Sequence, residues 1–155
     1  MSSLVLNAYQ IVPCTEYFFE QVKAGIEAMW LDNRCLEYKQ FLVAIHSNND
    51  VLGFGRIREY PDCSEICSVG VFEAYRNQGI GKSIVKKLIE EFLKRNDKPI
   101  YVITVIPKFF EKLNFKVINE PFPKAIQEKL DYCIQDLPVP EAYVVMRFNP
   151  PPPNR

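Results

Sequence analysis

Little in this chain points to charge, metal or membrane. Nineteen Lys and Arg residues stand against nineteen Asp and Glu, so the formal net charge is zero. Without a surplus of one sign, the long-range attraction that gathers nucleic acid or an anionic membrane surface is missing, and neither is expected as a partner. Histidine is almost absent, His46 being the single one. The five cysteines (Cys14, Cys35, Cys63, Cys67 and Cys133) are odd in number, irregular in spacing and contain no C-x-x-C pair. That pattern speaks against a disulfide framework and against a cysteine–histidine zinc site, so free thiols and no metal are expected. No apolar run approaches the roughly 18 residues that a membrane-crossing helix needs. The first residues, M-S-S-L-V-L-N-A-Y, have no basic segment and are too short and polar for a signal peptide, so a cytoplasmic location is expected.

What is present is the balance of an ordinary globular protein, 48% hydrophobic and 25% charged. At 155 residues one domain can bury a real core, and no repeat or linker divides the chain. Residues 1–149 are expected to form that domain. The end, N-P-P-P-P-N-R, reads as a disordered, solvated polyproline tail over 150–155.

The hydrophobic period alternates between that of strands and that of helices. Leu4 to Val12 is loosely alternating and reads as a strand. Thr15 is placed to cap a helix in which Phe18, Phe19, Val22, Ile26, Met29 and Trp30 recur at helical spacing and are expected to pack in the core. Gln40 to His46, Val51 to Tyr60 and Glu65 to Val71 read as three strands joined by turns of hairpin length, hence antiparallel. From Gly79 to Arg95, Ile80, Ile84, Val85, Leu88, Ile89, Phe92 and Leu93 make one apolar stripe on a helix. Ile100 to Val105 is an apolar, β-branched run typical of a buried strand. Pro107 opens a short helix, Phe115 to Ile118 is a brief strand, Pro123 to Tyr132 a further helix and Ala142 to Phe148 a last strand.

One stretch, A-Y-R-N-Q-G-I-G-K-S (Ala74 to Ser83), raises the question of function. Glycines followed by Lys-Ser ahead of a helix suggest a loop that cradles phosphates. The triphosphate loop G-x-x-x-x-G-K-[ST] needs its first glycine at position 76, which is Arg76, and the preceding strands form a hairpin meander rather than a βα unit. The dinucleotide fingerprint G-x-G-x-x-G requires a third glycine where this chain has Ile84. What remains is R-x-x-G-x-G, with V-G-V before it and an amphipathic helix after it.

This arrangement resembles the pyrophosphate-binding motif of the GNAT acyl-CoA N-acyltransferases, with Arg76, Asn77, Gln78, Gly79, Ile80 and Gly81 at the motif's place. The resemblance covers roughly Gln40 to Phe115, in the order meander, loop, helix, buried strand and a short helix ending F-F-E-K-L-N-F. It implies an α/β fold, a single GNAT domain with a mixed, mostly antiparallel sheet flanked by helices on both faces. It implies acetyl-CoA as cofactor, its pyrophosphate held by Arg76 to Lys82 and its pantetheine arm hydrogen-bonded along Val69 to Val71. Phe110, in the short helix, would flank the cofactor. The tyrosine that commonly protonates the departing thiolate in the family would also fall at position 110, where a phenylalanine cannot donate a proton. Water, Tyr101 or Tyr132 would have to serve instead.

Acyl transfer needs a neutral amine, and an alkyl ammonium of pKa about 10 costs roughly 4 kcal/mol to deprotonate at pH 7. Glu65, eleven residues before Arg76, stands at the spacing of the general-base glutamate of histone-acetylating members of the superfamily. Partial burial beside Ile66 would raise its pKa toward the useful range; the competing reading is a surface contact at a strand end. Arg56 and Arg58, two apart on one strand, share a face and could clamp a substrate carboxylate. Equally they could be solvated charges beside Glu59. The run from Thr104 to Cys133 further resembles short N-acetylglutamate-synthase-type members, although Asn114 replaces a glycine and the later cysteines are missing. The expected activity is acetyl transfer to a primary amine of a small molecule such as an amino acid. A protein acetyltransferase and a non-catalytic CoA-binding module are the alternatives, and monomer and homodimer both stay open.

Overall fold

The structure is a computed structural model that describes residues 9–119, 121–138 and 142–151. Among the described residues there are seven strands, mostly antiparallel in pairing, and four helices. They gather into two compact units, Met1–Arg58 with Ile66–Asn96, and Glu59–Glu65 with Asp97–Arg155.

The first unit holds β1 (Gln10–Pro13), α1 (Glu16–Ala28), β2 (Phe41–Ile45), β3 (Val51–Glu59) except its last residue, most of β4 (Ser64–Val71) and α2 (Ile80–Leu93). Its strands lie in the order β1-β2-β3-β4. The pairing β1 with β2 and β2 with β3 is antiparallel, with Val12 opposite Val43 and Val43 opposite Phe54. Alternation along β3 sends its two faces to two helices. Phe54 joins Phe18, Val22 and Ile26 of α1 and Phe41 and Val43 of β2 in one core. Gly53 and Gly55 point the other way, onto α2. A Cβ on Gly55 would stand 3.1 Å from Ile84 and 3.3 Å from Leu88, so glycine sets how closely the helix can lie on the strands. Ile80, Ile84, Val85, Leu88, Ile89 and Phe92 of the expected apolar stripe are buried, whereas Leu93, at the last position of the helix, is 46% exposed.

The second unit contains the start of β4, then β5 (Ile100–Thr104), α3 (Pro107–Glu111), β6 (Phe115–Val117), α4 (Lys124–Asp136) and β7 (Val144–Phe148), with strand order β4-β5-β7-β6. The β4–β5 pairing is parallel, with Ser64 opposite Ile100 and Glu65 opposite Tyr101; β5–β7 and β6–β7 are antiparallel. Ile126 and Leu130 of α4 pack with Tyr101, Ile103 and Val145. Phe110 of α3 meets Phe115 edge-to-face at 5.5 Å between ring centres, and Phe115 meets Phe148 at the same distance. Phe115 pairs with Phe148 and Lys116 with Arg147, which itself pairs with Tyr101. By strand alternation, α3 and α4 therefore cover opposite faces here as well.

Several expectations shift. The first strand begins at Gln10 among the described residues, and residues 4–8 of the expected Leu4–Val12 strand lie outside them. Most of the polyproline tail, 152–155, also lies outside the described residues. Thr15 occupies the N-cap position of α1 but its side chain makes no capping hydrogen bond. Trp30 is not core: α1 ends at Ala28, Trp30 turns to φ 56, and it is 70% exposed. The helical spacing that predicts its burial stops applying once the chain leaves helical conformation. Helix α4 runs on to Asp136, because Cys133 is buried and extends the stripe of Ile126 and Leu130 by another turn. All five cysteines are free thiols, Cys35 alone being exposed. Among the described residues no helix is long and apolar enough to cross a membrane.

Candidate active site

The loop after β4 is shaped by two left-handed residues. Glu73–Tyr75 forms a single 3₁₀ turn, Arg76 is extended, and Asn77 (φ 65) and Gly79 (φ 80) then reverse the chain into α2. Asparagine and glycine are the residues that tolerate this region best. A Cβ on Gly79 would meet nothing within 4 Å, so the requirement there is conformational rather than steric. The amide of Ser83 closes the first helical bond onto Gly79 carbonyl at 3.0 Å. Ile80 is buried and pins the loop, whereas Arg76, Asn77, Gly79 and Lys82 are exposed and Gln78 and Gly81 half-buried. Left-handed turns at a helix N-terminus present backbone N–H groups and the positive end of the helix dipole, the two elements of an anion cradle. Two cations flank it in sequence. Arg76 donates through Nε to the carbonyl of Val71 at 2.8 Å, tying the loop to the end of β4, whose Val69 and Val71 are half-buried. Tyr9, which no motif singles out, donates its hydroxyl to Ser83 Oγ at 3.1 Å in the first turn of α2.

Glu65 lies at the other end of β4, within the second unit, and is completely buried. Its Oε1 accepts a hydrogen bond from the Tyr60 hydroxyl at 3.1 Å. Its Oε2 accepts from Lys129 Nζ, and Lys129 is itself only 4% exposed. The expected partial burial is therefore total, and the desolvated carboxylate is compensated by a buried ammonium. Neither Tyr60 nor Lys129 is among the residues that motif and spacing point to. Lys129 does leave a trace: it lies in the apolar stripe of α4, three residues after Ile126 and four before Cys133, where a solvated lysine has no place. Chemically this is a carboxylate held in a fixed orientation, with one phenolic hydroxyl through which a proton could pass.

Arg56 is also completely buried. Its guanidinium donates to Gln40 Oε1 (2.9 Å) and to the carbonyls of Arg34 (3.1 Å), Asp32 (3.3 Å) and Cys35 (3.4 Å). It lies over the Phe41 ring at 5.6 Å. So the picture of two solvated charges on an outer face is corrected for Arg56, which the strand turns into the α1-side core with Phe54. Arg58 comes two residues later, half-buried. Phe110 is 4% exposed and packed between Phe109 and Phe115.

Residues 7–115 match the profile of the family described as Acetyltransferase (GNAT) family. An uncharacterized N-acetyltransferase of Chlorobaculum tepidum is 30% identical over 105 residues, 66% of this chain and 67% of that protein. Among solved structures, a Mycobacterium tuberculosis protein in complex with CoA superposes with a TM-score of 0.75 at 18% identity, covering 92% of this chain and 99% of that one. N-acetylglutamate synthase of Neisseria gonorrhoeae, complexed with coenzyme A and N-acetyl-glutamate, gives 0.74 at 13% identity over 94% of this chain, which spans only 36% of that enzyme. These structures share the fold. The motif, the order of elements and the family match over most of the chain lead to one statement: this chain belongs to the GNAT acetyltransferase family.

Proposed function

We propose that the protein is an acetyl-CoA-dependent N-acetyltransferase acting on the primary amine of a small molecule such as an amino acid. The observation that carries this reading is the loop Arg76 to Lys82, with left-handed Asn77 and Gly79 opening α2, in a chain of this family. Arg76, Asn77, Gln78, Gly79, Ile80, Gly81 and Lys82 would hold the pyrophosphate through backbone amides, the helix dipole and two cations. Val69 and Val71 would receive the pantetheine arm, and Phe110 would sit beside the cofactor. Residues 1–149 would serve as one catalytic domain, with the proline-rich end outside it.

Bound acetyl-CoA would supply the thioester: the amine nitrogen would take its acetyl carbon, a C–N bond forming as the C–S bond breaks and the sulfur leaving as CoA thiolate. The amine must first lose a proton, and Glu65 would accept it directly, through water or through the Tyr60 hydroxyl that already donates to it. With Phe110 unable to supply a proton, the thiolate would leave unassisted or take its proton from water; a thiol pKa near 8.5 makes that departure tolerable. Arg58, half-buried and on the same face of β3, is the candidate for a substrate carboxylate, whereas Arg56 is completely buried. The N-acetyl-glutamate in the Neisseria gonorrhoeae structure supports an acidic amino acid as the first substrate to try.

One observation favours a second reading, a CoA-binding module without catalysis: both oxygens of Glu65 are engaged, by Lys129 and Tyr60. Calorimetric titration with acetyl-CoA, CoA and Mg-ATP tests the cofactor. Micromolar binding of acetyl-CoA that vanishes in Arg76→Ala/Gly79→Val, with no heat from Mg-ATP, is expected. Folded protein that ignores acetyl-CoA would end the enzyme reading. Where transfer to a panel of amines is measurable, Glu65→Gln should lower kcat by about 10²- to 10⁴-fold; an unchanged rate would remove Glu65 as base.

A further inference from the structure

Strand β4 is broken in conformation at one residue. Ser68, in the middle of Ser64–Val71, has φ 53, a left-handed value that costs any residue with a Cβ and that strands do not otherwise use. A single left-handed residue in a strand re-aims the backbone after it, as bulges do beside binding sites. Here that backbone belongs to Val69, Gly70 and Val71.

The serine is held in place from its side chain. Its Oγ donates to the carbonyl of Asp32 at 2.8 Å and accepts from Arg56 Nε at 3.0 Å, so donor and acceptor are both committed and the hydroxyl has one orientation. Ser68 is 6% exposed and Arg56 and Asp32 are buried with it. Arg56 then spreads the tie over Gln40 and the carbonyls of Arg34 and Cys35, all in the segment between α1 and β2. Asp32 in turn receives the backbone N–H of Arg34 at 2.9 Å and its Nε at 3.1 Å. A fully desolvated guanidinium with five neighbouring acceptors is an expensive way to fill a core, and one of its bonds ties the strained residue of the strand to the segment that takes the other four.

We infer that Arg56, Ser68 and Asp32 form a clamp that fixes the backbone of Val69–Val71 in the conformation that receives the amide-bearing arm of CoA. They are positioning residues: none is asked to touch the cofactor. This rests on the reading of Arg76–Lys82 and Val69–Val71 as the CoA site, and it gives Arg56 a role other than substrate clamping.

The clamp acts on the arm and not on the phosphate loop, so two ligands separate it from general stability. Calorimetry would compare CoA with 3′-phospho-ADP, the same nucleotide without pantetheine, in wild type, Ser68→Ala, Ser68→Gly and Gln40→Ala. Ser68→Ala loses the hydroxyl and keeps the strain, so the strand relaxes. CoA affinity should fall about tenfold, or about 1.4 kcal/mol, while the 3′-phospho-ADP affinity stays within about twofold. Ser68→Gly can keep a positive φ without strain and should lose less than the alanine variant. Gln40→Ala withdraws one acceptor from Arg56, leaves the serine intact, and should weaken CoA alone by a smaller factor. Equal weakening of both ligands, or wild-type CoA affinity in Ser68→Ala and Gln40→Ala, would overturn the clamp. Absence of CoA binding by wild type would instead sink the cofactor assignment on which it stands.

Discussion

Two buried charges, Arg56 in the first unit and Glu65 in the second, are kept from water by opposite means. Around Arg56 the compensation is distributed: a serine hydroxyl, a glutamine amide oxygen and three backbone carbonyls accept its hydrogen bonds, and a carboxylate oxygen of Asp32, already bonded to Arg34, lies 3.8 Å away. Around Glu65 the compensation is concentrated in one ammonium, Lys129, with a single hydroxyl from Tyr60. Many dipoles hold a charge rigidly because no single loss uncovers it, which suits a part that positions backbone. One counter-charge leaves the carboxylate with a single ionic partner, so the loss of that partner uncovers it. The two arrangements predict different responses to the loss of one partner.

The largest effect should come from Lys129→Met. Removing the ammonium leaves a buried carboxylate without its counter-ion, and loss of one member of a buried pair typically costs about 3–5 kcal/mol. Urea denaturation monitored by circular dichroism would measure it through the midpoint, at unchanged slope. The double variant Glu65→Gln/Lys129→Met removes both charges at once and should recover most of the loss. A single Lys129→Met variant within about 1 kcal/mol of wild type would show that the pair is not what keeps Glu65 buried.

On the arginine side the corresponding experiment is Gln40→Ala. One acceptor of five disappears, and Arg56 Nη1 retains the carbonyl of Cys35 at 3.4 Å. A hydrogen bond to a charged group is worth about 1.5–3 kcal/mol, and partial compensation by the remaining acceptors should bring the loss to the lower end or below. The contrast with Lys129→Met is the point. Equal losses in the two variants would mean that the distributed network is no more tolerant than the single pair.

Much of the framework can be read from periodicity. The meander of β2, β3 and β4, the apolar stripe of α2 and the buried run of β5 arise from local patterns that tertiary packing only reinforces. The loop is legible for a related reason: asparagine and glycine stand where the backbone turns left-handed, and the helix starts directly after them. The features that local pattern misses depend on partners far along the chain. Lys129 meets Glu65 across 64 residues, and Ser68 bonds Asp32 across 36, separations on which a local pattern is silent. Arg56 shows the same limit, since strand alternation fixes its face but not whether that face looks to solvent or to a core. Ser68 is the least legible, because serine carries no signal for a left-handed residue inside a strand.

The smallest expected effect concerns two thiols, one in each unit, and sharpens the comparison because burial is the main influence on each. Burial pushes the Cys14 thiol up to about 11. Burial, helped by the negative charge of Asp62, pushes Cys63 up to about 12. An unfolded thiol ionises near pH 8.5, so between that pH and about 11 the unfolded chain binds fewer protons than the folded one. Stability contributed by these groups is thus complete below about pH 8.5 and declines as pH rises toward the folded values. Tyrosines and lysines titrate in the same window, so the informative quantity is a difference. The fall in Tm from about pH 8 to about pH 10 should be smaller in Cys14→Ala/Cys63→Ala than in wild type, whatever the offset that the lost core volume imposes at the lower pH. Parallel curves would mean that both thiols shed their protons without unfolding, so that burial does not hold their ionisation above that of the unfolded chain.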